Sequence, residues 1–397
     1  MQRIKGERVK IKIGHWAGFF DQYQISFYVC AILLGGLCAY FFKTNYLRLS
    51  AVEFGLPILL FVTFLQVPAA EIPRGLKSRH FIAALIVGNF IFIPIIVSAI
   101  FIIFHFMQQL ALQNGLLLAD NNVSELGYIA FILLLAPCID YVVSFCRNAQ
   151  GDSARLSASL PILLFIQLII LFILLNVFAG KLHIETTGIS HLGSIIHNFG
   201  ITLLLPLALA WLLQWLAMYN RAVLITANFC KNTVVLVTTL VLFVISAYSL
   251  SEIFSDFHIG WAASRIADAL NAPETHRPDM IVNGIKNIHN LPQTFGESTI
   301  SLYYLVGFIG LYVTYAFLAP IAGLITAKLF HLPRSQAIAT IFSVSTRNAL
   351  VLLPLLLSVA GNHKELVAVI ILTQTCVELV FEILYVHFIP RLVKTPE

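Results

Sequence analysis

The stretch that decides the fold runs from His80 to Phe106 and reads HFIAALIVGNFIFIPIIVSAIFIIFHF. It contains no Asp, Glu, Lys or Arg. A bilayer core takes roughly 20 apolar residues as a helix, so this stretch is long enough to cross a membrane. Nine similar runs occur elsewhere, and they are too long and unalternating for barrel strands. The sequence therefore predicts ten membrane-spanning helices, at about 24–42, 53–71, 80–106, 127–146, 156–179, 194–217, 233–252, 301–328, 337–360 and 365–389.

The composition also indicates an integral membrane protein. Of the 397 residues, 59% are hydrophobic and 11% are charged, whereas soluble domains average about 25% charged residues. The net charge of +5 comes from short loops and not from a basic face, so no nucleic-acid partner is expected. Five of the six cysteines lie in apolar segments, and Cys230 is placed in a short basic loop. No cysteine pair has zinc-ligand spacing, and neither a metal site nor a cofactor is expected.

The distribution of Lys and Arg predicts the orientation. With a cytoplasmic N-terminus, 16 of the 24 basic residues fall in inside segments and seven in outside segments, and the last one is Arg347. Cytoplasmic loops carry the excess of Lys and Arg in membrane proteins. Both termini are therefore expected in the cytoplasm, with the chain a multi-pass protein of the cell membrane.

Ten spans divide into two sets of five, and an odd number of crossings inverts the second set relative to the first. Two short echoes favour such a repeat, although apolar sequences match easily: 89–94 resembles 315–320, and 164–167 resembles 371–374. We expect one membrane domain, with six spans in 1–217, four in 218–397 and an external loop at 253–300. That loop either caps the outer face or takes part in substrate capture.

The repeat gives the fourth and ninth spans equivalent positions, and both are irregular. The fourth contains Pro137, which removes a backbone donor in mid-span. The ninth contains Ser345 and Thr346, whose side chains can satisfy freed backbone groups. Broken helices in corresponding positions point to a binding site, although a simple proline kink without a site is the alternative.

Charged residues inside a membrane cost roughly 2.5–3.5 kcal/mol each on insertion scales, so each needs a physical reason. Asp140 lies in the fourth span and Arg347 in the ninth. We expect them to meet where the two broken helices approach. The pair is either a static ion pair or a site in which Arg347 attracts an anion while a carboxylate carries a proton or cation.

The tenth span carries a polar stripe. Gln374, Glu378 and Glu382 are spaced four residues apart and share one helix face. Such a stripe must face the bundle interior or water. Glu378 is either hydrogen-bonded to a neighbouring helix or, with Gln374 and Asp140, part of a site for a coupling ion or proton.

The residues beside the two breaks are the candidate substrate ligands. Cys138 is either a small buried hydrophobe or a ligand for a thiolate-seeking substrate. We expect Cys138, Asp140, Arg347, Asn348 and Glu378 to lie around one cavity in the middle of the membrane.

The residues 136–143, Ala-Pro-Cys-Ile-Asp-Tyr-Val-Val, followed by Gly151-Asp152, resemble the fourth-helix signature of the arsenite-efflux permeases, Ala-Arg-Cys-Ile with a later Gly-Asp. Val377-Glu378 matches the tenth helix of that family, and 89–94 is similar to its Asn-Trp…Gly-Pro. The family belongs to the bile acid:sodium symporter superfamily. The resemblance covers nearly the whole chain apart from 253–300. It implies a panel domain and a core domain whose broken fourth and ninth helices cross at the substrate site, with transport by alternating access.

The chain departs from the family pattern at several positions. The family's fourth-helix cysteine corresponds to Cys138, but its ninth-helix glutamate corresponds to Leu350. Its arginine before the cysteine is Pro137 here, and its fifth-helix Asn-Asp is replaced at 166–167. Asp140 and Arg347 are additions to the arsenite-permease pattern. In the sodium-coupled bile-acid branch, a Gln-Asn pair falls on 347–348, and an arginine there could supply charge that sodium supplies elsewhere.

These observations predict a secondary transporter for arsenite-like or other small anionic solutes, coupled to protons or sodium. A sodium-coupled organic-anion uptake carrier is the alternative. A channel or a membrane receptor without transport coupling is the alternative of another class. No Walker loop, H-E-x-x-H or G-x-S-x-G occurs, so no enzymatic activity is expected.

Overall fold

The computed structural model describes residues 20, 23–41, 49–67, 78–113, 122–139, 141–178, 200–257, 291–359 and 364–393. All regular elements within these ranges are helical. The α-helices are α1 (Gln24–Phe41), α2 (Leu49–Gln66), α3 (Arg79–Val87), α4 (Ile93–Gln113), α5 (Asn122–Leu135), α6 (Val142–Asn148), α7 (Ser153–Phe178), α8 (Leu205–Leu216), α9 (Arg221–Asn232), α10 (Val234–Phe257), α11 (Leu291–Leu329), α12 (Arg334–Ser345), α13 (Ala349–Val359) and α14 (Lys364–Leu392). Two single π-helical turns, Gly88–Phe92 and Gly200–Leu204, precede α4 and α8.

The all-α membrane protein predicted from the sequence is confirmed at this level. Each of the ten predicted spans overlaps helix. Five helical segments are long and apolar enough to cross a membrane alone: Gln24–Phe41, Arg79–Leu110, Ser153–Phe178, Leu305–Leu329 and Leu366–Leu392. A sixth results if α9 and α10, which are bent by 44° at their junction, form one span. Large apolar side chains point outward on these helices, among them Ile102 at 67% and Phe317 at 63% exposure, as lipid-facing side chains do.

The prediction that Cys230 lies in a short basic loop, between the sixth and seventh predicted spans, is wrong. Helix α9 occupies most of this segment, and its first turn is capped by Asn220, whose side chain accepts a hydrogen bond from the Ala222 N–H at 2.9 Å. Cys230 therefore lies on a helix. The helix mixes exposed apolar residues such as Ile225 and Phe229 with polar ones. An amphipathic helix has no continuous apolar run, because its polar and apolar residues lie on different faces. A run of hydrophobic residues in the sequence therefore does not predict it.

The predicted external loop at 253–300 is shorter than expected. Helix α10 extends into it as far as Phe257, and α11 already begins at Leu291. The intervening residues 258–290 lie outside the described residues.

Two glycines let neighbouring helices approach α12. A Cβ at Gly88 would lie 2.6 Å from Val344 Cγ2, and one at Gly323 would lie 2.7 Å from the Ile341 Cα. Small residues at helix contacts permit such close approach in membranes. Helix α12 is thereby held between the π-turn after α3 on one side and α11 on the other.

Helix α14 is fixed to the start of α12 by an arginine. The Arg334 guanidinium donates to the Pro390 carbonyl at 2.8 Å and the Val393 carbonyl at 3.0 Å. These carbonyls lie at the end of α14, where a cation compensates the helix dipole. The polar stripe on α14 is therefore held beside α12.

Candidate functional site

The site is built on two broken helices. Helix α5 stops before Pro137 and the chain becomes helical again only at α6. Proline removes a backbone donor and disfavours helix in the residue before it, which explains this break. Helix α12 ends at Ser345, and Thr346 has an extended backbone (φ −89°, ψ 141°) before α13 begins. Pro137 and Arg347 face each other in an antiparallel bridge where the two breaks cross.

Two backbone hydrogen bonds join the breaks. The Cys138 N–H donates to the Thr346 carbonyl at 3.2 Å, and the Asn348 N–H donates to the Ala136 carbonyl at 2.9 Å. Extended residues in a membrane leave backbone groups without helical partners, and such groups must be satisfied inside the protein. Each break therefore supplies the partners that the other needs.

Two hydroxyls bond back to the last turns of α12. The Ser345 hydroxyl donates to the Ile341 carbonyl and the Thr346 hydroxyl to the Phe342 carbonyl, both at 2.8 Å. The Phe342 carbonyl also accepts the Thr346 N–H at 3.1 Å, so it is not a group that the break leaves free. Such bonds to the preceding turn are common for Ser and Thr in helices.

Arg347 is completely buried at the crossing. Its Nη2 donates to the carbonyls of Ser343 at 3.1 Å and Val344 at 2.5 Å, which lie at the C-terminal end of α12. Its Nη1 reaches the Leu134 carbonyl, at the end of α5, at 3.5 Å. A helix C-terminus carries about half a negative charge. One guanidinium thus lies against the negative ends of both broken helices.

Two neighbouring segments add polar partners to this arginine. The Asn89 side chain accepts from Arg347 Nη2 at 2.9 Å and donates to the Ser343 hydroxyl at 3.1 Å. The Tyr315 hydroxyl donates to the Val344 carbonyl at 3.0 Å, and its ring centroid lies 5.7 Å from Arg347 Cζ. Asn89 and Tyr315 are the first residues of the two segments that echo each other in the sequence. The similarity of these two segments indicates that Asn89 and Tyr315 occupy equivalent positions in the repeat, but it does not predict a function for either residue.

Glu378 connects the two breaks. Its Oε1 accepts from the Tyr141 hydroxyl at 2.7 Å, next to the start of α6. Its Oε2 accepts from the Arg347 backbone N–H at 2.9 Å and from the Gln374 side-chain amide. Because α12 ends at Ser345 and Thr346 is extended, the Arg347 N–H has no helical partner and is available to the carboxylate. Tyr141 was not predicted as a site residue, because nothing in its sequence context shows that it faces α14.

A small, partly open cavity lies beside Glu378. Its volume of about 10 Å³ is roughly the room that one water needs. Of the predicted site residues, Ser345, Gln374 and Glu378 line it, whereas Cys138, Arg347 and Asn348 are buried at the crossing but do not. The full lining is Leu134, Tyr312, Tyr315, Ala316, Ser345, Gln374, Val377, Glu378, Phe381 and Tyr385.

The expected pair of Asp140 and Arg347 stays a prediction, because Asp140 lies outside the described residues. Within the described ranges, Arg347 forms no ion pair with a carboxylate. Its Nε, like the Asn348 Nδ2, has no hydrogen-bond partner there. Leu350 is 5% exposed and belongs to the hydrophobic core.

The described residues contain no group of three or more His, Cys, Asp and Glu side chains that could hold a metal ion. What the crossing offers a ligand instead is a buried cation, buried amide donors and a buried carboxylate. No protein-family model matches this chain, and no curated protein is significantly similar to it.

Proposed function

We propose that the protein is a secondary active transporter that moves a small anionic solute across the cell membrane by alternating access, coupled to protons or sodium. The observation that carries this proposal is the hydrogen-bonded crossing of two broken helices around the buried Arg347. Discontinuous helices inside a membrane protein are the usual place for substrate and coupling ions in secondary transporters.

Two unsatisfied donors support an anionic solute. Arg347 Nε and Asn348 Nδ2 are buried donors without a partner in the described residues. A buried donor without a partner costs about 1–3 kcal/mol. A solute oxygen that accepts from either donor would remove that cost, and a charged acceptor does so most strongly at a guanidinium.

The same crossing supports the architecture that we propose: ten spans in two inverted sets of five, with both termini in the cytoplasm. The breaks at Pro137 and Thr346 occupy the fourth and ninth spans of such a repeat. Asn89 and Tyr315, from the third and eighth spans, both contact the end of α12. Equivalent spans of the two halves would thus meet at the crossing.

The solute class is proposed from the resemblance to the arsenite-efflux permeases. Cys138 keeps the family's cysteine, and it is buried beside the bridge. Because Leu350 stands in place of the family's glutamate, other small anions are candidate solutes beside arsenite. A sodium-coupled organic-anion carrier of the same superfamily is the competing member of this class.

The test is solute counterflow in proteoliposomes. Arsenite, antimonite and a panel of organic anions are supplied with and without sodium and with and without a pH gradient. A carrier exchanges its solute faster when the same solute is present on the opposite side. Replacing Arg347 by Gln should abolish this trans-stimulation, whereas the matched change at the half-exposed Arg155 should leave it intact. Solute flux without trans-stimulation would indicate a channel and contradict the proposal.

Asp140 has its own test within this assay. If it pairs with Arg347, the combined change Arg347→Gln with Asp140→Asn restores expression or exchange that the single Arg347 variant loses. A double variant that restores neither contradicts the pairing.

A further inference from the structure

Glu382 is a buried acid that the proposed solute site does not use. It lies on α14 one turn after Glu378 and is 0% exposed. Neither Oε1 nor Oε2 has a hydrogen-bond partner in the described residues. An ionised carboxylate in such surroundings is strongly destabilised, because its lost hydration is not replaced.

Glu378 shows the opposite arrangement on the same helix face. Three donors, from Tyr141, Gln374 and the Arg347 backbone, point at its two oxygens. Hydrogen bonds of this kind stabilise the charged form of a carboxylate. When two acids lie one helical turn apart, the one without donors is protonated first. In this conformation that acid is Glu382.

The ionisable groups around Glu382 do not offset a negative charge. No Lys, Arg or His of the described ranges forms an ion pair with it. Arg347, the cation of the crossing, directs its backbone N–H to Glu378 and its guanidinium to Asn89 and helix carbonyls. Among the described residues, Glu382 interacts electrostatically with acidic or neutral groups: Glu378 and Tyr385 on its own helix, Tyr141 and Cys146 beside and on α6, and Tyr315 on α11.

We propose that Glu382 is the proton-carrying group of the transporter. It holds a proton in the conformation described here and releases it in a conformation in which water reaches the α14 stripe. The claim that Glu382 is protonated depends only on the residues around it. The claim that it carries protons during transport depends on the proposed function. The two parts are therefore tested separately.

The first test is labelling of the purified native protein in lipid with an apolar carbodiimide, followed by peptide mass spectrometry. Only a protonated carboxyl adds to this reagent: its proton passes to a carbodiimide nitrogen, its oxygen bonds to the central carbon, and the adduct rearranges to a stable N-acylurea. We expect the label on Glu382 and not on Glu378. The label should be lost in Glu382→Gln and kept in Glu378→Gln.

Since the native protein is labelled, the result does not depend on whether a variant folds. Label on Glu378 and not on Glu382 would overturn the assignment. This result counts against a proton on Glu382 whether or not the protein transports a solute.

The second test concerns coupling and uses radiolabelled arsenite in sodium-free proteoliposomes. Glu382→Gln is expected to keep arsenite counterflow but to lose the acceleration of net transport by a pH gradient, because exchange needs no net proton movement. The change Arg155→Gln, at a half-exposed arginine outside the site, serves as the control and should not remove that acceleration. A Glu382→Gln protein that still responds to the pH gradient contradicts the carrier role. Absence of any arsenite flux in the native protein contradicts the arsenite proposal and leaves the labelling result valid.

Discussion

Replacing Arg347 by Met tests whether the guanidinium holds the crossing together. Met has a similar length but cannot donate a hydrogen bond. In the variant the Val344 carbonyl keeps the Tyr315 hydroxyl as a donor. The Ser343 carbonyl and the Asn89 side-chain oxygen lose the guanidinium, and so does the Leu134 carbonyl, whose contact is the longest at 3.5 Å. Each buried acceptor left without a donor costs about 1–3 kcal/mol, which gives about 3–9 kcal/mol for the three. Relief from burying a charge offsets part of this, so we expect the free energy of unfolding to fall by ~2–4 kcal/mol.

The assay is reversible unfolding in mixed micelles with increasing sodium dodecyl sulfate, followed by tryptophan fluorescence. Arg155→Met is the matched control. Arg155 is 51% exposed and pairs with Asp152 at 3.3 Å, and such exposed pairs contribute about 0–1 kcal/mol. Arg347→Lys keeps the positive charge, but the lysine ammonium cannot reach several acceptors at once as the planar guanidinium does. This variant should therefore recover only part of the lost free energy of unfolding. An Arg347→Met protein as stable as the Arg155→Met protein would refute the view that Arg347 joins the two helix ends.

Three other changes test neighbouring features. Gly323→Ala should destabilise the protein by about 1–3 kcal/mol, because its Cβ would lie 2.7 Å from the Ile341 backbone. The control Gly310→Ala, with open space around its Cβ, should be neutral or stabilising. Equal unfolding curves for the two variants would contradict the close packing at Gly323. Tyr141→Phe removes one donor from Glu378 and should lower the unfolding free energy by about 1 kcal/mol; an unchanged curve would mean that this hydrogen bond contributes nothing. A C-terminal fusion should fluoresce with green fluorescent protein and stay inactive with alkaline phosphatase, and the reverse pattern would contradict cytoplasmic termini.

The helices of this fold could be predicted because they depend on local properties. A continuous apolar run such as 80–106 predicts both the length of its helix and its membrane surroundings from its own residues. The position of the first break follows from Pro137, whose missing N–H is a property of one residue. Helix α9 was missed because its polar and apolar residues lie on different faces of the helix. Its average hydrophobicity is therefore low, and only the spacing of its apolar residues indicates a helix.

The partners at the site could not be predicted in the same way, because they are far apart in the sequence. Asn89 and Arg347 are separated by 258 positions, and Tyr141 and Glu378 by 237. The sequence shows that a buried arginine and a buried glutamate need partners. It does not show that the partners of Arg347 include the carbonyls at its own helix end, since that depends on the chain turning extended at Thr346.

The bridge between Pro137 and Arg347 has a mechanical consequence. Any motion that pulls α5 away from α12 must break the two backbone hydrogen bonds of the bridge together, and inside a membrane the freed groups would need new partners. A motion that carries both breaks as one piece leaves these bonds intact. The two breaks therefore move together as one unit. The movement that opens the protein to one side of the membrane or the other must occur between this unit and helices that are not hydrogen-bonded to it.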